Sequence, residues 1–492
     1  MSSFLHYNKS KVIITAAICT APLLANWWGK NVVVFASEGS GQLSPIHEFR
    51  QELIDSIPRL KKTPTDRKYS VAPPMEDLTL KHVQIFFRHG ARTPVRQWPI
   101  IEQVTWDKDV LQCGVPSTQI KYNRKYLDGT PCAEYGHVET ILRSFVFKGG
   151  IHGGQLTDLG HRQLHQLGLE IRRRYMEERK LVPEIYQKES IHARSTNLMR
   201  TIESTKCVLA GLFGRESLEE NEVVPDIMVA KDSDEFLYIP NINACQVINE
   251  MVKGNVFKLP SLKGERALRE EVMKRLGLDT AHHHILRGLM DEFNCRKAHG
   301  FPMPDTVKDL VPMIIEMGRK MFRLQWKNDD NDKCLLMTVG PIYNMIFENM
   351  DSASCHQDNT AKMHLFGVHD LTLLPMLLSL KVITIDDSHW PGYGENINFE
   401  LYEDKSGAHW VRILHGDKEI TLPNCEAAIC RYEQFKQELS HLTLTIPQYR
   451  CLCDGKIPSS LKGRCVVPGE RKIAGQLLTL PAKEGKPIPA SI

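Results

Sequence analysis

Acid is missing from the start of this chain: none of the first 37 residues is Asp or Glu, and none is Arg. Lys9 and Lys11 precede an apolar run from Val12 to Ala25, broken by threonine and by Pro22. A basic stretch followed by a short hydrophobic one is the pattern of a signal peptide or signal anchor. The run falls short of the roughly 20 apolar residues that a membrane-spanning helix needs. The want of acids also suits a mitochondrial presequence, whereas the want of arginine does not. We read 1–37 as a targeting or anchoring segment, which leaves membrane proximity open, and 38–79 as a linker and arm.

Excess charge of either sign is absent too, with 62 basic side chains against 59 acidic ones. That excludes the basic footprint of a nucleic-acid-binding protein. Cysteine is thinly spread, 13 in 492 residues, which excludes a small disulfide scaffold, and the odd number leaves at least one unpaired within the chain. Five of them, Cys425, Cys430, Cys451, Cys453 and Cys465, gather near the end. Their spacings are not those of a zinc ribbon, so one or two disulfides are expected there, given an oxidising compartment. His282, His283 and His284 are consecutive, so their side chains diverge, which argues against one shared metal ion. The sequence gives no reason to expect a metal or a cofactor, and it says nothing of oligomeric state.

What the chain does have is a series of apolar strands that run directly into charge. In Lys81–Pro94, K-H-V-Q-I-F-F-R-H-G-A-R-T-P, Val83, Ile85, Phe86 and Phe87 read as a strand buried on both faces of a sheet. It ends in Arg88 and His89, with Arg92 just beyond. Two guanidiniums flanking an imidazole at the end of a core strand are costly unless an anion meets them. Open α/β sheets bind ligands at the carboxyl ends of their strands, and Arg presents donor forks matched to phosphate oxygens. A neutral His89 between them could attack phosphorus, and Gly90 is expected to let the backbone turn sharply towards the ligand.

The pattern recurs. Glu189–Ala193 is a short strand candidate, and Arg194-Ser195-Thr196 is expected to open an amphipathic helix whose N-terminus joins Arg194 in an anion site. Met363–Val368 is an apolar strand ending in His369-Asp370, followed by a hydrophobic helix from Leu371 to Leu380. Between these junctions, Thr157 is a plausible cap for a helix carrying Leu164, Leu167, Ile171 and Tyr175 on one stripe. Asn396–Tyr402 and Trp410–Leu414 read as a late hairpin. The chain then divides into a core over 80–205 and 335–455, a mainly helical cap over 206–334, and a tail from 456 to 492 rich in Lys, Pro and Gly.

Arg88-His89-Gly90-Ala91-Arg92-Thr93-Pro94 resembles the R-H-G-x-R-x-P signature of the histidine acid phosphatases. The related phosphoglycerate mutase branch typically lacks the arginine that Arg92 supplies. Leu156-Thr157 to Gly160, with Leu167-Gly168 to Tyr175, is similar to that family's second signature, and Arg194-Ser-Thr-Asn to its third. The resemblance covers about residues 80 to 455. It implies an α/β fold, a mixed and mainly parallel sheet flanked by helices with a smaller helical cap. It also implies a metal-free phosphate monoester hydrolase in which His89 is the nucleophile and Asp370 the proton donor. Arg88, Arg92, Arg194 and His369 would hold the phosphate.

Within the family, stretches such as Asp234-Glu235 to Tyr238-Ile-Pro-Asn resemble the mitochondrial branch that converts lysophosphatidic acid to monoacylglycerol. That implies a lysophospholipid substrate. The span 206–334 holds 19 basic and 21 acidic residues, which is ill suited to a polyphosphate. Its Phe236, Leu237, Tyr238, Phe257 and Phe293 are candidates to line an acyl groove. Two alternatives stay open: a secretory-pathway phosphatase for sugar or inositol phosphates, and a non-catalytic phosphoester-binding protein.

Overall fold

In the computed structural model of the chain, the described residues are 73–453 except 112–115, 242, 249–250, 252–263, 279–283, 327–332, 356–359 and 426. The targeting segment, most of the arm, the tail, His282, His283 and Phe257 lie outside them. Strand β1, Leu78–Arg88, is the axis of the molecule. Its side chains alternate across the sheet. Val83, Ile85 and Phe87 enter one apolar cluster, and Phe86 enters the other, stacked on Phe366. Burial of each such side chain contributes about 1.5–3 kcal/mol, which explains why this strand tolerates no polar residue over Val83–Phe87 except Gln84.

Among the described residues the sheet has nine strands, in the order β2-β4-β3-β5-β1-β6-β7-β8, with β9 also pairing with β7. Here β2 is Asn123–Tyr126, β3 Ile191–Ser195, β4 Asp226–Val229, β5 Met363–Val368, β6 Asn396–Asp404, β7 His409–His415, β8 Lys418–Ile420 and β9 Ile429–Arg431. The five strands from β2 to β1 are parallel, and β6 onward are antiparallel, the first two forming the expected hairpin. Arg88 pairs with Val368 and Ser195 with Gly367, so β1, β3 and β5 end side by side. Every chemically loaded junction of the sequence therefore opens onto one edge.

Helices Asp158–Ile171 and Met199–Phe213 cover one face, and Lys333–Ser354 and Asp370–Ser379 the other. The first starts at Thr157, whose hydroxyl accepts from the Gly160 amide. Gly160 and Gly90 are both obligatory for the same contact. A Cβ on Gly90 would lie 2.4 Å from the Gly160 carbonyl, and one on Gly160 would lie 2.2 Å from that of Ala91. Gly90 thus serves the packing of the signature loop on this helix, and not the sharp turn towards ligand that the sequence suggested. Beyond Ile171 the chain makes a π-helical turn in which Arg172, Arg173 and Arg174 pair with Glu177, Glu170, Glu178 and Asp417, a solvated helix end.

Over the sheet edge stand helices Glu265–Arg275, Ile285–His299 and Val311–Arg323, with an apolar cluster of their own that also takes Trp98. The span 206–334 is more than this layer. Its first residues complete the Met199–Phe213 helix, and β4 lies inside the sheet between β2 and β3. At the cysteine-rich end, Cys453 is bonded to Cys245, 208 residues away, and Cys451 is also disulfide-bonded. Cys425 and Cys430 are buried thiols. No described helix is long and apolar enough to cross a membrane.

Candidate active site

Arg88, the last residue of β1, is held on three sides. Its Nη1 donates to the Pro391 carbonyl at 2.7 Å, its Nη2 meets Asp370 Oδ2 at 2.7 Å, and its guanidinium lies over the Tyr393 ring. His89 follows, fully buried, with its amide donating to the Val368 carbonyl at the end of β5. His89 Nδ1 lies 2.9 Å from the Gly90 carbonyl. A carbonyl only accepts, so Nδ1 carries the proton and Nε2 keeps its lone pair. Burial, and then the Arg200, Arg88 and Arg92 guanidiniums, hold this imidazole well below its ordinary pKa, which keeps it neutral. Arg92 bonds Asp291 Oδ1 through Nη2 at 2.9 Å, and the second oxygen of Asp291 accepts from the Val95 amide. Helix Ile285–His299 is thereby fastened to the signature loop.

Arg194 is not in this group. Strand β3 continues through Ser195, so Arg194 lies in register with Phe366 and Met228 and stands perpendicular to the sheet. Its side chain enters the opposite layer, where it pairs with Glu235 at 3.3 Å and lies over Phe236. Neither Ser195 nor Thr196 caps the next helix, whose N-cap is Leu198. The place expected of Arg194 is taken by Arg200, in the first turn of that helix, above the strand ends. Arg200 is buried, and its Nε and Nη1 have no protein partner; its Nη2 lies 3.4 Å from His369 Nδ1. Arg88 Nε and Arg92 Nε are likewise without protein partners. Buried donors are almost always satisfied, so this concentration of unmatched ones marks an anion site. Arg200 lies six residues after Arg194, just beyond the Arg194-Ser-Thr-Asn stretch noted above, and helical phase from the strand end was the signal that could have found it.

His369 N-caps helix Asp370–Ser379, its ring 5.4 Å from that of His89. Both of its nitrogens are engaged, Nε2 with the Thr196 hydroxyl at 2.9 Å and Nδ1 with Arg200, so it positions Arg200, and it reaches phosphate only if that longer contact opens. Asp370 occupies the first helical position and not the cap, with Oδ1 accepting from the Leu371 amide. Tyr238 and Tyr393 complete the walls around the two imidazoles, and sequence reasoning gave Tyr393 no role.

His89, Arg92, Arg200, His369 and Asp370 open into one cavity. Its remaining lining is largely apolar, including Val95, Trp98, Ile141, Leu142, Phe145 and Leu371. Of the acyl-groove candidates among the described residues, only Tyr238 belongs to it; Leu237 and Phe293 are in buried clusters, and Phe236 lies beneath Arg194. The arrangement can bind a dianion with three guanidiniums, present a neutral imidazole to it, and set a carboxyl group alongside. Among the described residues the one group with metal-ligand spacing is His389, Glu395 and His415, none of which lines the cavity.

Residues 79–276 match the Histidine phosphatase superfamily (branch 2). The chain is 30% identical to lysophosphatidic acid phosphatase type 6 of Mus musculus over 380 residues, 76% of this chain and 88% of that protein. It is 24% identical to lysosomal acid phosphatase of Xenopus laevis, over 75% of this chain and 78% of that one. Among solved structures, Hafnia alvei phytase in complex with tartrate shares the fold, with a TM-score of 0.51 at 14% identity, covering 77% of this chain and 100% of that one. With that kinship and an anion cradle built around a buried, neutral imidazole, the chain belongs to branch 2 of the histidine phosphatase superfamily and is an acid phosphatase, a hydrolase of phosphoric monoesters.

Proposed function

We propose that the protein hydrolyses lysophosphatidic acid to monoacylglycerol through a phosphohistidine on His89. The observation that carries the lipid reading is the cavity itself, whose cationic end holds His89 while Val95, Trp98, Ile141, Leu142, Phe145 and Leu371 offer an acyl chain apolar cover. The relatives named for lysophosphatidic acid support the same choice. An inositol polyphosphate would need cations around most of its ring, and beyond the cradle the cavity offers chiefly Arg96 and Arg287.

In the chemistry we propose, Arg88, Arg92 and Arg200 neutralise the phosphate dianion and stabilise the equatorial oxygens as the phosphoryl group moves. His89 Nε2 attacks phosphorus in line while Nδ1–H stays on the Gly90 carbonyl. Phosphate oxygens compete with Asp370 for the donors of Arg88, which frees the carboxylate to take up a proton from solvent and then pass it to the departing alkoxide. The same group then takes a proton from the water that hydrolyses the phosphohistidine.

The substrate is tested by comparing lysophosphatidic acids of increasing chain length with glycerol 3-phosphate and phytate. Each buried methylene contributes up to about 0.8 kcal/mol, a factor of roughly four in kcat/KM. The expected result is a rise with chain length, with glycerol 3-phosphate far below. A flat response, or phytate as the preferred substrate, overturns the lipid reading and leaves the phosphatase intact.

A further inference from the structure

We propose that His389, Glu395 and His415 form a binding site for a zinc-class transition-metal ion, separate from the catalytic cavity, that clamps the loop holding Arg88. Nε2 of His389 lies 2.8 Å, and Nε2 of His415 2.6 Å, from the same oxygen, Glu395 Oε1. The ligand atoms of all three residues fall within 4.8 Å of one another. The two rings stand at 87°, so they approach that point from different directions and do not stack. The other carboxylate oxygen, Oε2, accepts from the Gly392 amide at 2.7 Å, an outer contact that fixes the orientation of Oε1.

Two imidazoles and one carboxylate suit zinc and its neighbours, whereas calcium and magnesium take oxygen ligands. Zinc–ligand bonds of about 2.0–2.1 Å place tetrahedral ligand atoms ~3.3 Å apart. The two His–Glu contacts need therefore lengthen by only about 0.5–0.7 Å, while the two imidazole nitrogens, within 4.8 Å of each other, settle to the same spacing. Side-chain exposures of 35%, 19% and 15% leave room for water as a fourth ligand.

The site joins three elements: the loop at His389, the residue before β6, and the last residue of β7. That loop is the support of Arg88. It supplies the Pro391 carbonyl, the Tyr393 ring, and the Glu395 carbonyl that accepts from the Arg88 amide. An ion bound to His389 and Glu395 restrains both ends of this support, and so couples to phosphate binding.

The test uses the untagged full chain, titrated with Co2+ and followed by visible d–d absorption, with Zn2+ as competitor. The expected result is one equivalent bound with tetrahedral bands and no thiolate charge-transfer band. His389→Gln and His415→Gln should weaken binding by more than the ~10- to 100-fold that loss of an orienting partner costs. Glutamine retains an N–H donor for Glu395, so the turn persists without the ligand, and circular dichroism checks that it does. Zinc should raise the melting temperature of the wild type and not of the variants, and should change the Kd of inorganic phosphate only in the wild type. Absent d–d bands at micromolar protein, bands that survive in both variants, or thiolate bands would overturn the site. An equal phosphate response in wild type and His415→Gln would overturn the clamp.

Discussion

Two buried polar clusters share this sheet and are finished differently. On β6 and β7, Glu400 accepts from the Tyr175 hydroxyl at 2.7 Å through Oε1, and from Tyr402 at 2.9 Å and Arg412 at 2.6 Å through Oε2. Arg412 also donates to the Tyr402 hydroxyl. At the ends of β1, β3 and β5, by contrast, Arg88, Arg92 and Arg200 keep donors that no protein atom meets. A satisfied network fixes architecture, and a network with donors to spare awaits an anion. The Tyr175 that closes the second family signature belongs to the first kind, and the R-H-G-x-R motif to the second.

The comparison breaks most visibly at His89. His89→Ala should lower kcat/KM on the order of 10⁴-fold or more while the fold persists, measured by steady-state kinetics alongside circular dichroism. Retention of a large part of the rate would move the nucleophile elsewhere. Asp370→Asn comes next, with a loss of roughly 10²- to 10⁴-fold on alkyl phosphates and much less on aryl phosphates, whose leaving groups need little protonation. Equal losses on both would make Asp370 a positioning residue.

The two arginines of one motif sharpen the contrast. Arg200→Ala removes donors aimed at the anion and should reduce kcat/KM by about 10²- to 10³-fold with little loss of stability. Arg194→Ala should do the reverse. It strands buried Glu235, whose carboxyl is pushed up by burial against the pull of Arg194, and should cost about 3–5 kcal/mol in urea unfolding with kcat/KM preserved. If Arg194→Ala instead lowered activity in a stable protein, the assignment of the pair would be inverted. In the satisfied cluster, Tyr175→Phe leaves Glu400 short of a donor and should cost about 1–3 kcal/mol without changing kcat/KM more than twofold.

A further effect is on pH. His82 is buried in the sheet beside His364, and burial pushes its imidazole down from 6.5 to about 4. The unfolded chain takes up a proton there near pH 6.5 while the folded chain refuses it. The stability His82 contributes is therefore complete above pH 6.5 and is lost as pH falls through about 4, by at most ~1.4 kcal/mol per unit. Urea unfolding of wild type and His82→Gln at pH 7 and pH 4.5 should show the smaller acid loss in the variant, and identical losses would remove His82 from the account.

Much of this was legible beforehand because strand pattern and charge coincide. Val83–Phe87 could only be buried on both faces, and so Arg88 and His89 had to emerge at a strand end; Val368 with His369 and Asp370 follows the same logic. Arg194 failed because β3 runs two residues further than its composition suggested, and one extra strand residue turns a side chain to the other face. Asp291, Tyr393 and the His389–Glu395–His415 group carry no local signal. Their partners lie far along the chain, at Arg92, Arg88 and across β6 and β7, where only the closed sheet brings them together.

The measurement closest to the central claim is rapid-quench trapping with radiolabelled lysophosphatidic acid or, independent of substrate class, an aryl phosphate. The expected result is protein-bound label that survives alkali, is lost in acid, maps to His89 and is absent from His89→Ala. Turnover without such an intermediate in single-turnover time courses, or label on any other residue, would contradict it.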